Sequence, residues 1–193
     1  MSVQAATGNR LILGLGAGIS MMVTGMYGLP AGRPATRMRE YLSVLRPLLC
    51  GEAVSHQSET LTAVGQVSVP GTTPPPILLA ALAPAMLRLA GELADGTVTW
   101  MTGPRTLADH IVPSITRAAQ AAGRPAPRVV AGLLVSVTAD ASGVRDRAAE
   151  QFGLAGHVPE YRAVLDREQV TGPQDVVIAG ECLRGTSRSA HNI

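Results

Sequence analysis

The residues with the clearest chemical potential are glycines and a helix start rather than acids, bases or nucleophiles. Gly14-Leu15-Gly16-Ala17-Gly18-Ile19 follows a short apolar run. A G-x-G-x-x-G turn between a strand and a helix lets a pyrophosphate approach backbone N–H groups. The third glycine of that pattern falls at Ile19, and no helix is expected to start there, so a loop at a strand end is the preferred reading. A second candidate is Leu82-Ala83-Pro84-Ala85-Met86, where a strand runs straight into a helix. Free N–H groups in the first turn and the helix dipole favour a phosphate, and the small side chains leave room for it. An ordinary strand-to-helix turn explains the same residues and competes with that reading. Trp100 closes another strand beside Thr99 and Thr102, at the edge where parallel α/β folds gather ligands. Core packing competes with a pocket role for this indole.

The remaining reactive side chains form no constellation. His56, His110, His157 and His191 share no ligand-like spacing, and Cys50 and Cys182 lie far apart without a CxxC pair. Neither a zinc site nor a disulfide framework is indicated, so no metal is expected. No Ser-His-Asp arrangement, paired carboxylate or Walker loop stands out, and the catalytic acid and base stay unassigned.

Apolar runs alternating with amphipathic stretches must position these residues. Leu11–Gly16 reads as a buried strand, followed by a Gly- and Met-rich loop over 17–34. Met38, Tyr41, Leu42, Leu45, Leu48 and Leu49 then recur at helical spacing, with Gly51 where a C-terminal cap belongs. Val64, Val67 and Val69 hint at a short hairpin before Pro74-Pro75-Pro76. Strands are expected at 77–82, 97–101 and 129–138, with a last apolar run at 175–180. Helices are expected at 84–94, from about 104 to 122, at 140–154 and at 160–167. This alternation is the signature of parallel βα units, and the fold class is α/β.

Composition supports that class and excludes others. The 193 residues are 46% hydrophobic and 16% charged, which argues for a folded chain with a sizeable core. Aromatics make up 3%, so core volume must come from aliphatic side chains and alanine. The formal charge of +2 comes from 16 basic and 14 acidic residues. Every basic residue is an arginine, and the arginines are scattered, whereas a nucleic-acid footprint needs a clustered basic face. The uncharged stretch Leu11–Pro30 is broken by five glycines, so neither a signal peptide nor a membrane helix is expected. The expected location is the cytoplasm.

Longer stretches carry a resemblance. The segments GNRLILGLG (8–16), GMYGLP (25–30), RPATRMREYLSVLRPLLCGE (33–52), AALAPAMLRLAGELADGTVTWMTGPRTLADHIVP (80–113) and AGRPAPRVVAGLLVSVTAD (122–140) resemble the luciferase-like monooxygenase family. Within it, they are most similar to the actinobacterial oxidoreductases that depend on coenzyme F420, a deazaflavin. The resemblance implies a (β/α)8 TIM barrel with the cofactor at the mouth formed by the C-terminal ends of its strands. It also implies hydride transfer between the deazaflavin and a small organic substrate, whereas relatives that use FMN carry out monooxygenation. By position, Leu82, Ala83, Pro84 and Met86 would offer backbone groups to the cofactor phosphate. Gly14 and Gly16 would border the ring, and Thr99 and Trp100 would line the pocket. Where the relatives carry a Ser-His pair after a proline, this chain has Gly18-Ile19 after Ala17.

A whole barrel takes roughly 250 residues. The expectation is therefore a partial barrel, about the fourth to seventh βα units, in residues 1–180, with a divergent unpacked tail at 181–193. Its activity is expected to be impaired. A catalytically silent barrel fragment and an FMN-dependent monooxygenase are the alternatives, and a homodimer is left open.

Overall fold

The computed structural model describes residues 1–180; the expected tail at 181–193, and with it Cys182 and His191, lies outside the described residues. The chain runs α1 (Ser2–Ala6), β1 (Leu13–Leu15), α2 (Ser20–Gly25), α3 (Pro34–Leu49), the hairpin β2 (Val54–Gln57) and β3 (Thr62–Gly65), β4 (Ile77–Ala80), α4 (Pro84–Leu93) and β5 (Gly96–Trp100). It continues through α5 (Pro104–Thr106), a π-helical turn (Leu107–Ile111), α6 (Val112–Ala121), β6 (Arg128–Gly132), β7 (Val135–Val137), α7 (Ala141–Phe152), a 3-10 turn (Gly153–His157), α8 (Pro159–Glu168), a second 3-10 turn (Pro173–Val176) and β8 (Ile178–Gly180). Among the described residues no helix is long and apolar enough to cross a membrane. The chain divides into two compact units, Met1–Val98 with Ile115–Arg128, and Thr99–Ser114 with the described residues from Val129 onward.

The first unit is built on parallel strands. β1 pairs with β4 through Leu13 opposite Ile77, Gly14 opposite Leu78 and Leu15 opposite Leu79. On its other side β4 pairs with β5, placing Leu78, Leu79 and Ala80 opposite Gly96, Thr97 and Val98. Ile77, Leu78 and Leu79 are all buried, as a strand covered on both faces requires. Thr97 is polar inside this layer and satisfies its hydroxyl by donating to the Leu79 carbonyl at 2.8 Å. The entry to β1 is fixed by buried Gln4, whose amide donates to the Thr73 carbonyl at 2.9 Å and whose oxygen accepts the Leu11 N–H at 2.9 Å.

Helix α4 buries Leu87, Leu89 and Ala90. Gly91 lets it approach the last turns of α6, because a Cβ there would lie 2.6 Å from the Ile115 carbonyl oxygen and 2.7 Å from the Ala118 Cβ. α3 packs on α4 and is tied to it by the Arg39–Glu92 ion pair and by Arg46, which donates to the Leu93 carbonyl at 2.6 Å. Glu40 on α3 accepts from the Ser58 hydroxyl, the Thr60 hydroxyl and the Thr60 N–H, pinning the hairpin turn. Those hydrogen bonds, the Thr60 hydroxyl first, hold its carboxyl below the usual carboxylate range.

In the second unit the Met101 N–H donates to the Gly132 carbonyl at 3.0 Å, and α8 packs on α5. Ile111, Val164 and Leu165 fill the interior. Asp140 caps α7 by accepting the Gly143 N–H at 2.8 Å. β7 and β8 form a separate parallel pair. Asp175 accepts from the Thr171 hydroxyl and from the N–H groups of Thr171 and Gly172, and these bonds, the hydroxyl first, hold its carboxyl below the ordinary value.

Three local expectations change. The 17–34 loop contains the six-residue helix α2. The expected strand 129–138 is two strands, broken at Leu133-Leu134. The helix after Gly103 is interrupted by a π-helical turn ending just before Val112-Pro113. Pro113 has no N–H to give to the carbonyl four residues back, so a wider turn at this point is the physical expectation.

Two stability measurements check this packing. Gly91→Val should destabilise the chain by about 1–3 kcal/mol in denaturant unfolding through overpacking against α6; unchanged stability would show the helices free to separate. Asp175 contributes stability above its unfolded pKa, about 3.9, and loses it as pH falls through the lower folded value. The melting-temperature advantage of wild type over Asp175→Asn should therefore shrink below about pH 4. A gap that is constant with pH would contradict this.

Candidate functional site

In the first unit, the structure brings two of the sequence candidates to the same end of neighbouring strands. Gly14 is paired within β1, and Gly16 follows the strand directly. A Cβ on Gly16 would stand 3.3 Å from the Ala80 Cβ at the end of β4, whereas one on Gly14 would meet nothing within 4 Å. Gly16 therefore keeps the ends of β1 and β4 close, and Gly14 leaves open space. Two residues past Ala80 the chain reaches Leu82 and turns into α4.

The start of α4 has the features of an anion-accepting terminus. Ala83 is extended (φ −77°, ψ 149°), its carbonyl accepts the Leu87 N–H at 2.9 Å, and Pro84 occupies the first helical position. Ala83, Pro84 and Ala85 are not buried, whereas Met86 is. The N-cap residue Ala83 offers no capping side chain, and no acid stands in the first turn. Among the described residues, the N–H groups of Ala85 and Met86 thus have neither an intrahelical acceptor nor a side-chain cap.

The glycine run does not form a dinucleotide turn, but the expectation that no helix starts beside it is corrected. Ile19 is the extended residue before α2. That helix is only six residues long, and Ile19 stands where the motif needs its third glycine. Gly18 adopts φ +73°, and a Cβ there would press on Val23 at 2.9 Å, so this glycine serves the local turn.

Thr99 and Trp100, the last residues of β5, belong to the second unit. Thr99 is 2% exposed, and its hydroxyl is buried without a hydrogen-bond partner among the described residues. Such a group carries a desolvation cost that a bound acceptor or donor would remove. Trp100 is 37% exposed, which a core tryptophan would not be. Its ring meets Phe152 edge-on, with centroids 6.3 Å apart at 70°.

Sequence reasoning missed the residues that seat this indole. Gly132 has no room for a Cβ, which would fall 2.7 Å from the Thr99 carbonyl oxygen and 2.9 Å from Trp100 Cε3. Thr102 is fully buried and donates its hydroxyl to the Trp100 carbonyl at 3.2 Å. Glu168 at the end of α8 accepts the Thr106 N–H at 2.8 Å and the Thr106 hydroxyl at 2.7 Å, filling the start of α5 with a carboxylate. An isolated Gly103-Pro104 signals a helix start, but nothing local signals an acid 62 residues away.

Gly14, Gly16, Leu82, Ala83, Pro84, Met86, Thr99 and Trp100 include no titratable group, so they can hold and orient a ligand but cannot exchange its protons. Among the described residues no cluster of three or more metal-ligating side chains occurs. His56 keeps Nε2 buried without a partner in the β2–β3 hairpin, and Cys50 is a free, exposed thiol. A hollow of about 490 Å³ lies by the N-terminal ends of β4 and β5, lined by Arg46, Cys50, Pro76, Ile77, Asp95 and Arg128 among others, and it includes none of the eight candidates.

Comparison with known proteins finds relatives in sequence and in fold. The chain is 28% identical over 187 residues to a 5,10-methylenetetrahydromethanopterin reductase of Methanolobus tindarius, covering 95% of this chain and 56% of the relative. Among solved structures it superposes on the coenzyme F420-dependent tetrahydromethanopterin reductase of Methanopyrus kandleri with TM-score 0.68 and 25% identity, over 85% of this chain and 52% of the other. An F420-dependent secondary alcohol dehydrogenase shares the fold at TM-score 0.70 and 17% identity, over 93% of this chain and 59% of the other. The chain spans about half the length of the curated relatives it matches. The family model for luciferase-like monooxygenase matches residues 1–186, so this α/β chain, with its parallel sheet and uncapped α4 start, belongs to the luciferase-like monooxygenase family.

Proposed function

We propose that this chain binds coenzyme F420 and takes part in hydride transfer between that deazaflavin and a small organic substrate. The observation that carries the reading is the uncapped, small-residue start of α4 beside the glycine-bearing end of β1. The residues present fit the group. In the first unit, the N–H groups at the start of α4 suit a phosphate, and Leu82, Ala83, Pro84 and Met86 would hold it through backbone atoms and close packing. Gly14 and Gly16 would border the ring with no side chain to obstruct it. In the second unit, the unpartnered Thr99 hydroxyl would supply a polar contact and the exposed indole of Trp100 an apolar wall.

The bound cofactor supplies the redox chemistry, while the chain supplies orientation and excludes water. The similarity to the coenzyme F420-dependent reductase of Methanopyrus kandleri supports the choice of deazaflavin over FMN. A charge-free stretch from Leu11 to Gly32, which includes β1 and the chain that follows it, supports a neutral organic substrate rather than an acid.

Two experiments test the reading. In a thermal-shift titration of the full chain, coenzyme F420 should raise the melting temperature with concentration as a ligand of the native state does, and FMN should do so less. A shift with FMN alone, or with neither, would reject the deazaflavin. Ala83→Asp places a carboxylate where a helix N-cap belongs and should stabilise the chain by about 0.5–1 kcal/mol. The same charge should weaken F420 binding about tenfold or more by repelling its phosphate. Unchanged affinity would remove the phosphate from the start of α4.

A further inference from the structure

We propose that Glu168 is a positioning residue: its carboxylate holds the turn after β5 and thereby sets the orientation of Thr99 and Trp100. The functional part of this inference rests on the reading of those two residues as lining the cofactor site.

The segment from Trp100 to Thr106 is pinned at both ends. At its beginning, Met101 takes a left-handed conformation (φ +53°), is 3% exposed and donates its N–H to Gly132. A non-glycine residue holds that conformation only where its surroundings impose it. At its end, Glu168 accepts three donors: the Arg105 N–H at 3.2 Å on Oε1, and the Thr106 N–H and hydroxyl at 2.8 and 2.7 Å on Oε2. Thr106 is 1% exposed, so its bonds lie largely out of water. A carboxylate at a helix start is also favoured by the partial positive charge there. Gly103 is part of the same fitting, because any Cβ would collide with the Glu168 carboxyl group.

Glu168 itself is held firmly. Gln169 ends α8 in a left-handed cap, and the Val170 N–H returns to the Leu165 carbonyl at 3.1 Å. The Arg162 guanidinium donates to Asp166, Val170 and Thr171, each at 2.8 Å, and locks the turn that follows. The carboxylate is therefore a fixed point rather than a loose surface acid. Between the two pins, Thr102 ties its hydroxyl to the Trp100 carbonyl, so displacement of the turn is passed to the indole between Gly132 and Phe152.

Trp100 is the chain's one tryptophan, so the intrinsic fluorescence of the full chain reports its surroundings directly. Glu168→Gln keeps the side-chain size but turns one acceptor oxygen into an NH2 group. The expected result is a shifted Trp100 emission maximum, faster acrylamide quenching and about tenfold weaker binding of coenzyme F420. Thr106→Val removes only the hydroxyl donor and should move the same readouts less, in the same direction; it decides the matter if Glu168→Gln fails to fold. A lower melting temperature with unchanged Trp100 emission and quenching would show a structural cap only and would overturn the proposal. If Glu168→Gln shifts the fluorescence while the wild-type chain binds no F420, the positioning role stands and the cofactor reading fails. Fluorescence that shifts while a measurable F420 affinity stays unchanged would overturn the functional part.

Discussion

Strand β4 is the element on which the first unit depends. Its buried Ile77, Leu78 and Leu79 pair with β1 on one side, and Leu78, Leu79 and Ala80 pair with β5 on the other, so its backbone polar groups are met by neighbouring strands while the aliphatic residues are closed to water. The candidate ligand residues of that unit lie beside or just beyond this one strand. Gly16 sits where it does because a residue with a side chain would strain the approach of β1 to Ala80. The start of α4 lies a few residues beyond the strand, and Gly91 farther along that helix permits the close contact with α6 that keeps α4 on the sheet. The small residues of this unit therefore have a mechanical use. Tight packing of parallel strands under helices leaves strand ends and helix starts, rather than large polar side chains, as the available binding chemistry.

The legible parts of the fold are those in which one short window carries the whole signal. Helix α3 is such a case: Met38 and Leu42, one turn apart, are both buried, and Gly51 follows the helix with φ +82°. The aliphatic run at Ile77-Leu78-Leu79 likewise marks β4, and Pro84 marks the first position of α4. Elements set by tertiary context are not legible. Helix α2 has neither a capping side chain nor a first-turn acid, so its six residues look like loop. The break at Leu133-Leu134 lies within an apolar run, and pairing of β7 with β8 depends on residues more than forty positions away. The candidate ligand residues are visible because their chemistry is local: a glycine, a proline, a tryptophan at a strand end. The supports of Trp100, Gly132 and Glu168, act across the second unit and leave no local mark.

Two helix starts in this chain show opposite solutions to the same electrostatic problem. Each exposes backbone N–H groups and a partial positive charge that an anion can satisfy. In the second unit the chain provides that anion itself, as Glu168 at the start of α5, with three donors converging on one carboxylate. In the first unit α4 begins with alanine and proline, and among the described residues no first-turn acid or capping side chain answers its N–H groups. Capping with Ser, Thr, Asp or Asn is worth about 1 kcal/mol and needs a single substitution. A start left uncapped, accessible and free of bulk forgoes that stability, and the phosphate proposed for it would meet the same N–H groups. The filled terminus then holds a turn and the other carries no acid of its own, and the difference between them follows from where the acidic residues stand.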